Sequence, residues 1–162
     1  MPYITERWPG GLLTNFATIR KSIKKMQTID KMKEEGTFDT LSKRERLQID
    51  RQRAKLELNL GSIVNMTRMP QAIFVVDINK ESISIDEANH LGIRTFAMTD
   101  TNTNPKLIDF PIPANDDAAK SIECILLIVK KAIAEGLKER GAEQEARNVE
   151  KKEKAKKISE EK

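Results

Sequence analysis

The sequence predicts an α/β protein, with a parallel sheet preceded by an antiparallel helical hairpin and followed by a charged tail. Three observations predict it. Apolar residues recur at steps of three and four through the first quarter of the chain. A continuous apolar run after Pro70 ends at Asp77, as a strand buried on both faces would. From about Gly136 the chain is almost entirely Lys, Glu and Ala, with few apolar anchors.

Residues 1–11 read as an irregular entry segment, closed by Pro9-Gly10-Gly11. The spacing predicts a helical hairpin over 12–66. Its first helix starts near Leu12, with Leu12, Phe16, Ile19, Ile23 and Met26 on one stripe, in the manner of a coiled-coil seam. Gly36 and Thr37-Phe38-Asp39 break it. Ser42 caps the second helix, with Glu45 completing a capping box. That helix offers two stripes, one of Leu47, Ala54 and Leu58 and one of Ile49, Leu56, Leu60 and Ile63. Two charged helices joined by a short break form an antiparallel pair that projects from the body.

Residues 67–135 read as the α/β domain. Ala72 to Val76 is a strand, 83–91 a helix with Ile85, Ala88 and Leu91 inward, and Gly92 its terminator. Ile93 to Met98 is the next strand. Asp109 to Pro113 is short and extended, and Pro113 confines it to an edge or a strand end. Asn115 or Asp116 caps a last helix carrying Ala118, Ile122, Ile125, Leu126, Val129 and Ile133. This order implies parallel strands with right-handed crossovers. Residues 136–162 read as a frayed or disordered tail.

The 162 residues carry a net charge of +4, unevenly spread. Residues 1–55 hold 13 Lys and Arg against 7 Asp and Glu, residues 56–114 hold 4 against 7, and residues 115–162 hold 12 against 11. A basic appendage on a near-neutral body suits contact with a polyanion. Cys124 is the single cysteine, so neither an internal disulfide nor a cysteine-rich metal site is available, as suits a reducing cytoplasm. Its neighbours Ile122, Ile125 and Leu126 make it a small buried residue. No apolar run approaches the ~20 residues of a membrane span, and the N-terminus lacks a signal-peptide core.

Three groups of residues carry candidate chemistry. In Arg7-Trp8-Pro9-Gly10-Gly11-Leu12-Leu13-Thr14-Asn15, exposed N–H groups at a helix start favour phosphate, Arg7 can fork onto it, and Trp8 can stack. The plainer reading is a structural turn with Trp8 packed on the domain. The segment is no Walker loop, because no Gly-Lys-Ser/Thr follows. Arg20 with Lys24, and Lys21 with Lys25, form short basic rows, to which Arg44, Arg46, Arg51 and Arg53 add charge. Such rows bind RNA backbone without reading sequence, although a solvated face of mixed charge reads similarly. Asp77 and Asp100 end two strands and can hold a magnesium ion for phosphoryl transfer, the enzymatic alternative. No glycine-rich phosphate loop follows either strand, and Asp is common in loops for conformational reasons. His90 lacks a catalytic constellation. A free coiled-coil adaptor, self-associating through the hairpin, is a third reading.

Several segments together carry a family resemblance. Arg7-Trp8 with Gly10 to Phe16, Ser22-Ile23-Lys24-Lys25, Gly36-Thr37-Phe38-Asp39 and Leu58 to Ile63 resemble the bacterial small-subunit ribosomal protein S-two family. Pro70 to Asp77, Glu87 to Ile93, Asp100 to Pro105 and Ile112 to Ala118 continue the match in unbroken order, over roughly residues 3–135. The resemblance implies a partial flavodoxin-like parallel sheet with an inserted antiparallel helical hairpin, a coiled coil. It implies a structural, non-enzymatic component of the small subunit, lying in the cytoplasm between head and body. The implied partners are small-subunit ribosomal RNA, neighbouring ribosomal proteins and ribosomal protein S-one, with no cofactor, metal, membrane or small-molecule substrate. The RNA-binding residues expected are Arg7, Trp8, Thr14, Asn15, Arg20, Lys21, Lys24, Lys25, Arg44 and Arg51. In one respect the chain departs from the family, which has about ninety residues before the Arg-Trp segment. The expectation is a truncated chain, an internal start or a partial gene model, with an uncovered sheet edge and poor stability alone.

Overall fold

The structure is a computed structural model. It describes the backbone of residues 1–160 and the side chains of residues 1–141. Two compact units divide the chain, Met1–Ala114 and Asn115–Lys162.

In the first unit, helix α1 spans Phe16–Glu34 and α2 spans Lys43–Leu60, joined through a short 3-10 turn at Thr37–Thr40. The first helix starts four residues later than its periodicity suggests. Gly11 has φ +82, and Leu12 and Asn15 donate N–H bonds to Pro9 and Gly11 carbonyls, so residues 10–15 form a turn instead. Leu12 and Leu13 are buried there. On α1 the buried positions are Ile23, Met26 and Ile29. The Ser42–Glu45 capping box forms as read, with both reciprocal bonds present. Of the two stripes on α2, Ile49, Leu56 and Leu60 turn inward, with Ile63 just beyond the helix, while Leu47 and Leu58 stay exposed.

The pairs Lys33–Asp50 and Arg53–Asp30 link the two helices, and Arg53 also pairs with Glu57. As numbers fall along α1 they rise along α2, so the helices are antiparallel. Apolar packing concentrates at the open end of the hairpin, where α1 begins and α2 ends: Leu12, Ile23, Leu60, Ile63 and Met66 form one core cluster. Towards the turn, ion pairs take over. Exposed pairs contribute at most about 1 kcal/mol each, so the hairpin's stability resides at its base.

Strand β1 (Ala72–Val75), helix α3 (Ser82–Leu91), strand β2 (Arg94–Thr99) and strand β3 (Phe110–Pro113) complete this unit. The sheet order is β1-β2-β3 and both pairings are parallel, as the strand–helix–strand order implies. Phe74, Phe96 and Phe110 are in register, and the Phe96 and Phe110 rings stack at 4.5 Å. Val75, Ile78, Ile85, Ala97 and Ile108 form a second cluster between sheet and α3.

Two burial expectations fail here. β1 is only partly buried, with Ala72 exposed, because it is an edge strand of the described sheet. Leu91 is exposed, because it occupies the last turn of α3. Gly92 ends that helix as expected, at φ +66, with Ile93 donating its N–H to the Ala88 carbonyl.

In the second unit, the Asn115 side chain accepts bonds from the backbone N–H groups of Asp117 and Ala118, just before helix α4 (Ala119–Glu160). On α4, Ile122, Ile125, Val129 and Ile133 are half-buried, while Leu126, Leu127 and Ile128 are exposed. Cys124 is exposed, not buried, because it lies off the half-buried stripe. The helix continues past Gly136. The expected fraying of residues 136–162 concerns a segment whose side chains beyond 141 lie outside the described residues. Among the described residues, no helix is long and apolar enough to cross a membrane.

Candidate nucleic-acid interface

The basic residues of α1 separate into two faces. At about 100° per residue, Ile23, Met26 and Ile29 define the buried side. Lys21, Lys24, Lys25 and Lys31 lie on the other side, with Thr28 among them, and all are exposed. The acidic residues of α1, Asp30 and Glu34, lie off this row. The row from Lys21 to Lys31 covers about 15 Å of helix. None of its lysines makes an ion pair among the described residues.

Other cations in the hairpin are engaged. Arg20 donates to the Met66 carbonyl at 3.0 Å, tying α1 to the chain beyond α2. Arg53 lies between Asp30 and Glu57, Arg46 faces Asp39, and Lys33 pairs with Asp50 while lying over the Phe38 ring. The hydrogen bond with Asp30 is the main reason the Arg53 guanidinium holds its proton more tightly than usual. Arg44 and Arg51 are exposed on α2 and form no ion pair among the described residues.

The entry segment is organised by a residue outside it. The Glu87 carboxylate, on α3, accepts from the backbone N–H groups of Gly11 (2.7 Å), Leu13 (2.8 Å) and Thr14 (3.0 Å). It also accepts from the Thr14 hydroxyl and the Trp8 indole, each at 3.3 Å. Glu87 is only 7% exposed. Burial pushes its carboxyl up, but the N–H donors of Thr14, Leu13 and Gly11 and the Trp8 indole outweigh that and hold it below its usual range. The donors that sequence offered either to phosphate or to a structural turn therefore already hold an anion of the chain's own. Trp8 packs against two core clusters, one with Leu12 and Ile23 and one with Leu13 and Ala88. Arg7 and Asn15 are exposed, and Asn15 makes no side-chain cap bond.

Sequence reasoning passed over Glu87. A signal existed: Ser84, Ile85 and Ala88 set the buried face of α3, and Glu87 lies on it. A carboxylate on a buried face requires donors. Nothing local names those donors, which lie 73 to 79 residues away.

The two strand-end carboxylates serve local turns. Asp77 accepts from the Lys80 backbone N–H and pairs with the Lys80 ammonium, at 2.9 Å each. Burial raises its carboxyl, and the Lys80 contacts more than offset this, leaving it below its usual range. Asp100 accepts from the Thr101 N–H at 2.6 Å.

Residues 1–136 match the family model described as ribosomal protein S2. The chain belongs to this family. Small ribosomal subunit protein uS2 of Flavobacterium johnsoniae is 65% identical over 150 residues, covering 93% of this chain and 59% of that protein. Its counterpart in Parabacteroides distasonis is 67% identical over 143 residues, covering 88% of this chain and 51% of that protein. The Flavobacterium psychrophilum protein of the same name is 64% identical over 146 residues, covering 90% and 55%. The chain thus spans about half the length of the curated relatives it matches. Nothing in the match supports phosphoryl transfer by Asp77 and Asp100.

Proposed function

We propose that this chain works as a structural, non-catalytic component of the small ribosomal subunit in the cytoplasm. It binds small-subunit ribosomal RNA and neighbouring ribosomal proteins, ribosomal protein S-one among them, during translation. The match to the ribosomal protein S2 family over residues 1–136 carries this reading. The exposed lysine row of α1 supplies its chemistry, since unpaired ammonium groups displace counterions from a phosphate backbone without reading bases. Lys21, Lys24 and Lys25 are the principal phosphate contacts, with Arg44 and Arg51 on α2. Arg20 adds charge from a tethered position, and Arg7 and Asn15 offer contacts from the entry segment. Trp8 and Thr14 contribute through their surfaces, because their donor groups serve Glu87.

The parallel β1-β2-β3 sheet with its α3 crossover supports the finer architecture, part of a flavodoxin-like sheet with an inserted coiled-coil hairpin. Entry segment 1–11, hairpin 12–66, α/β part 67–135 and charged tail 136–162 are its working divisions.

Sedimentation with small subunits through a sucrose gradient tests the reading, with salt raised in steps. The protein is expected in the small-subunit fraction at low salt and free at high salt. Migration apart from small subunits at every salt concentration would refute it. Replacing Lys21, Lys24 and Lys25 with alanine is expected to flatten the salt dependence of binding to a small-subunit RNA transcript. Each lost phosphate contact removes roughly 0.7 to 0.9 from the log–log slope.

A further inference from the structure

We propose that Glu87 is the positioning residue for the RNA-binding end of this protein, an internal anion that latches residues 8–14 onto α3 and so sets where Arg7 and the start of α1 stand. The inference rests on the RNA-binding reading above and adds a residue that touches no RNA.

Five donors converge on one carboxylate, three of them backbone N–H groups within four residues. Both oxygens are used: one takes Trp8 and Gly11, and the other takes Leu13 and Thr14. The cradle is specific to an anion. A glutamine in its place keeps one acceptor oxygen but presents an NH2 group to N–H donors on the other side. Gly11 makes the geometry possible. Its φ is +82, and a Cβ there would stand 3.3 Å from the Asn15 Cβ, closer than ordinary packing. Beyond the latch the chain enters α1 at Phe16, five residues before the lysine row begins. Trp8 is at once a donor to Glu87 and a wedge between the hairpin-base cluster and the α3 cluster. Releasing the carboxylate therefore loosens the joint between hairpin and sheet, and removes none of the lysines.

The cradle also accounts for how this segment binds RNA. Its N–H groups are occupied by a buried carboxylate, so RNA phosphate does not enter there. Contacts fall instead on outward groups such as Arg7, whose placement depends on the latch.

Trp8 is the protein's single tryptophan, which makes the latch directly observable. The test compares the 162-residue chain with E87Q, G11A and the double variant. It reads Trp8 emission, iodide quenching and binding to a small-subunit RNA transcript across a salt series. E87Q is expected to shift Trp8 emission to the red and raise its quenching. It should weaken RNA binding roughly 3- to 10-fold, as the latched fraction falls. Its salt slope is expected to match wild type, because no phosphate contact is removed. G11A, the milder variant, opens the same latch from the other side. The double variant should therefore be no worse than the stronger single one.

Unchanged Trp8 emission in both folded single variants would overturn the latch. So would tighter RNA binding by E87Q, which would make Glu87 a repulsive charge, or a flatter salt slope, which would make it part of the contact surface. If E87Q does not fold, G11A carries the same readouts. If neither wild type nor variants bind the transcript, the RNA-binding reading fails, while Trp8 emission still decides the latch.

Discussion

Glu87 and Gly92 illustrate two different ways in which a single residue matters in this protein. Gly92 acts through its backbone alone: φ is +66 and nothing lies within 4 Å of a Cβ placed there. Gly92→Ala is therefore expected to cost about 1 kcal/mol, from left-handed strain without a clash, measurable by urea denaturation. Glu87 acts through charge. Its carboxyl is held below its usual range, so its contribution is complete above the ordinary glutamate range of the unfolded chain. That contribution is lost as pH falls through the lower folded-state value. Stability of wild type is expected to decline more steeply than that of E87Q over that acid range, as followed by circular dichroism. At Ser42, removing the capping hydroxyl with Ser42→Ala is expected to cost about 1 kcal/mol, again by denaturation.

The elements divide their stability unevenly. At the base of the hairpin Ile23 is 2% exposed and belongs to a shared apolar cluster. Ile23→Ala is expected to cost about 2 to 5 kcal/mol, through lost transfer energy and a cavity. Nearer the hairpin's turn, Arg53 bridges Asp30 and Glu57 across partly exposed surface. Arg53→Met is expected to cost less than about 1 kcal/mol, and less again at high salt. Denaturation of both variants at low and high salt checks the contrast. A larger loss in Arg53→Met than in Ile23→Ala would show that ion pairs, not the base cluster, hold the hairpin.

At the largest scale, each described unit exposes edges or apolar residues. The described sheet has three strands, so β1 and β3 are both edges. Leu126, Leu127, Ile128 and Leu137 on α4 are exposed. Exposed edges and apolar faces favour association. The isolated chain is expected to melt over a broad range and to sediment as larger species as concentration rises. Scanning calorimetry and sedimentation velocity over a concentration series check this. A sharp melt of a strictly monomeric chain would contradict it.

Much of this protein was determined by local sequence. The capping box at Ser42 and Glu45 and the stop at Gly92 need only neighbouring residues, because hydrogen-bond rings and backbone torsions are local. Family membership was legible because several short motifs occur in one order. Tertiary structure decided what periodicity left open. It chose the Ile49–Leu56–Leu60 face of α2 over Leu47 and Leu58, because burial depends on the partner surface as well as the stripe. It also placed Glu87 in the cradle that sequence had left open between a phosphate site and a structural turn. An N–H cluster attracts any anion, and only the fold brings one to it from more than seventy residues away.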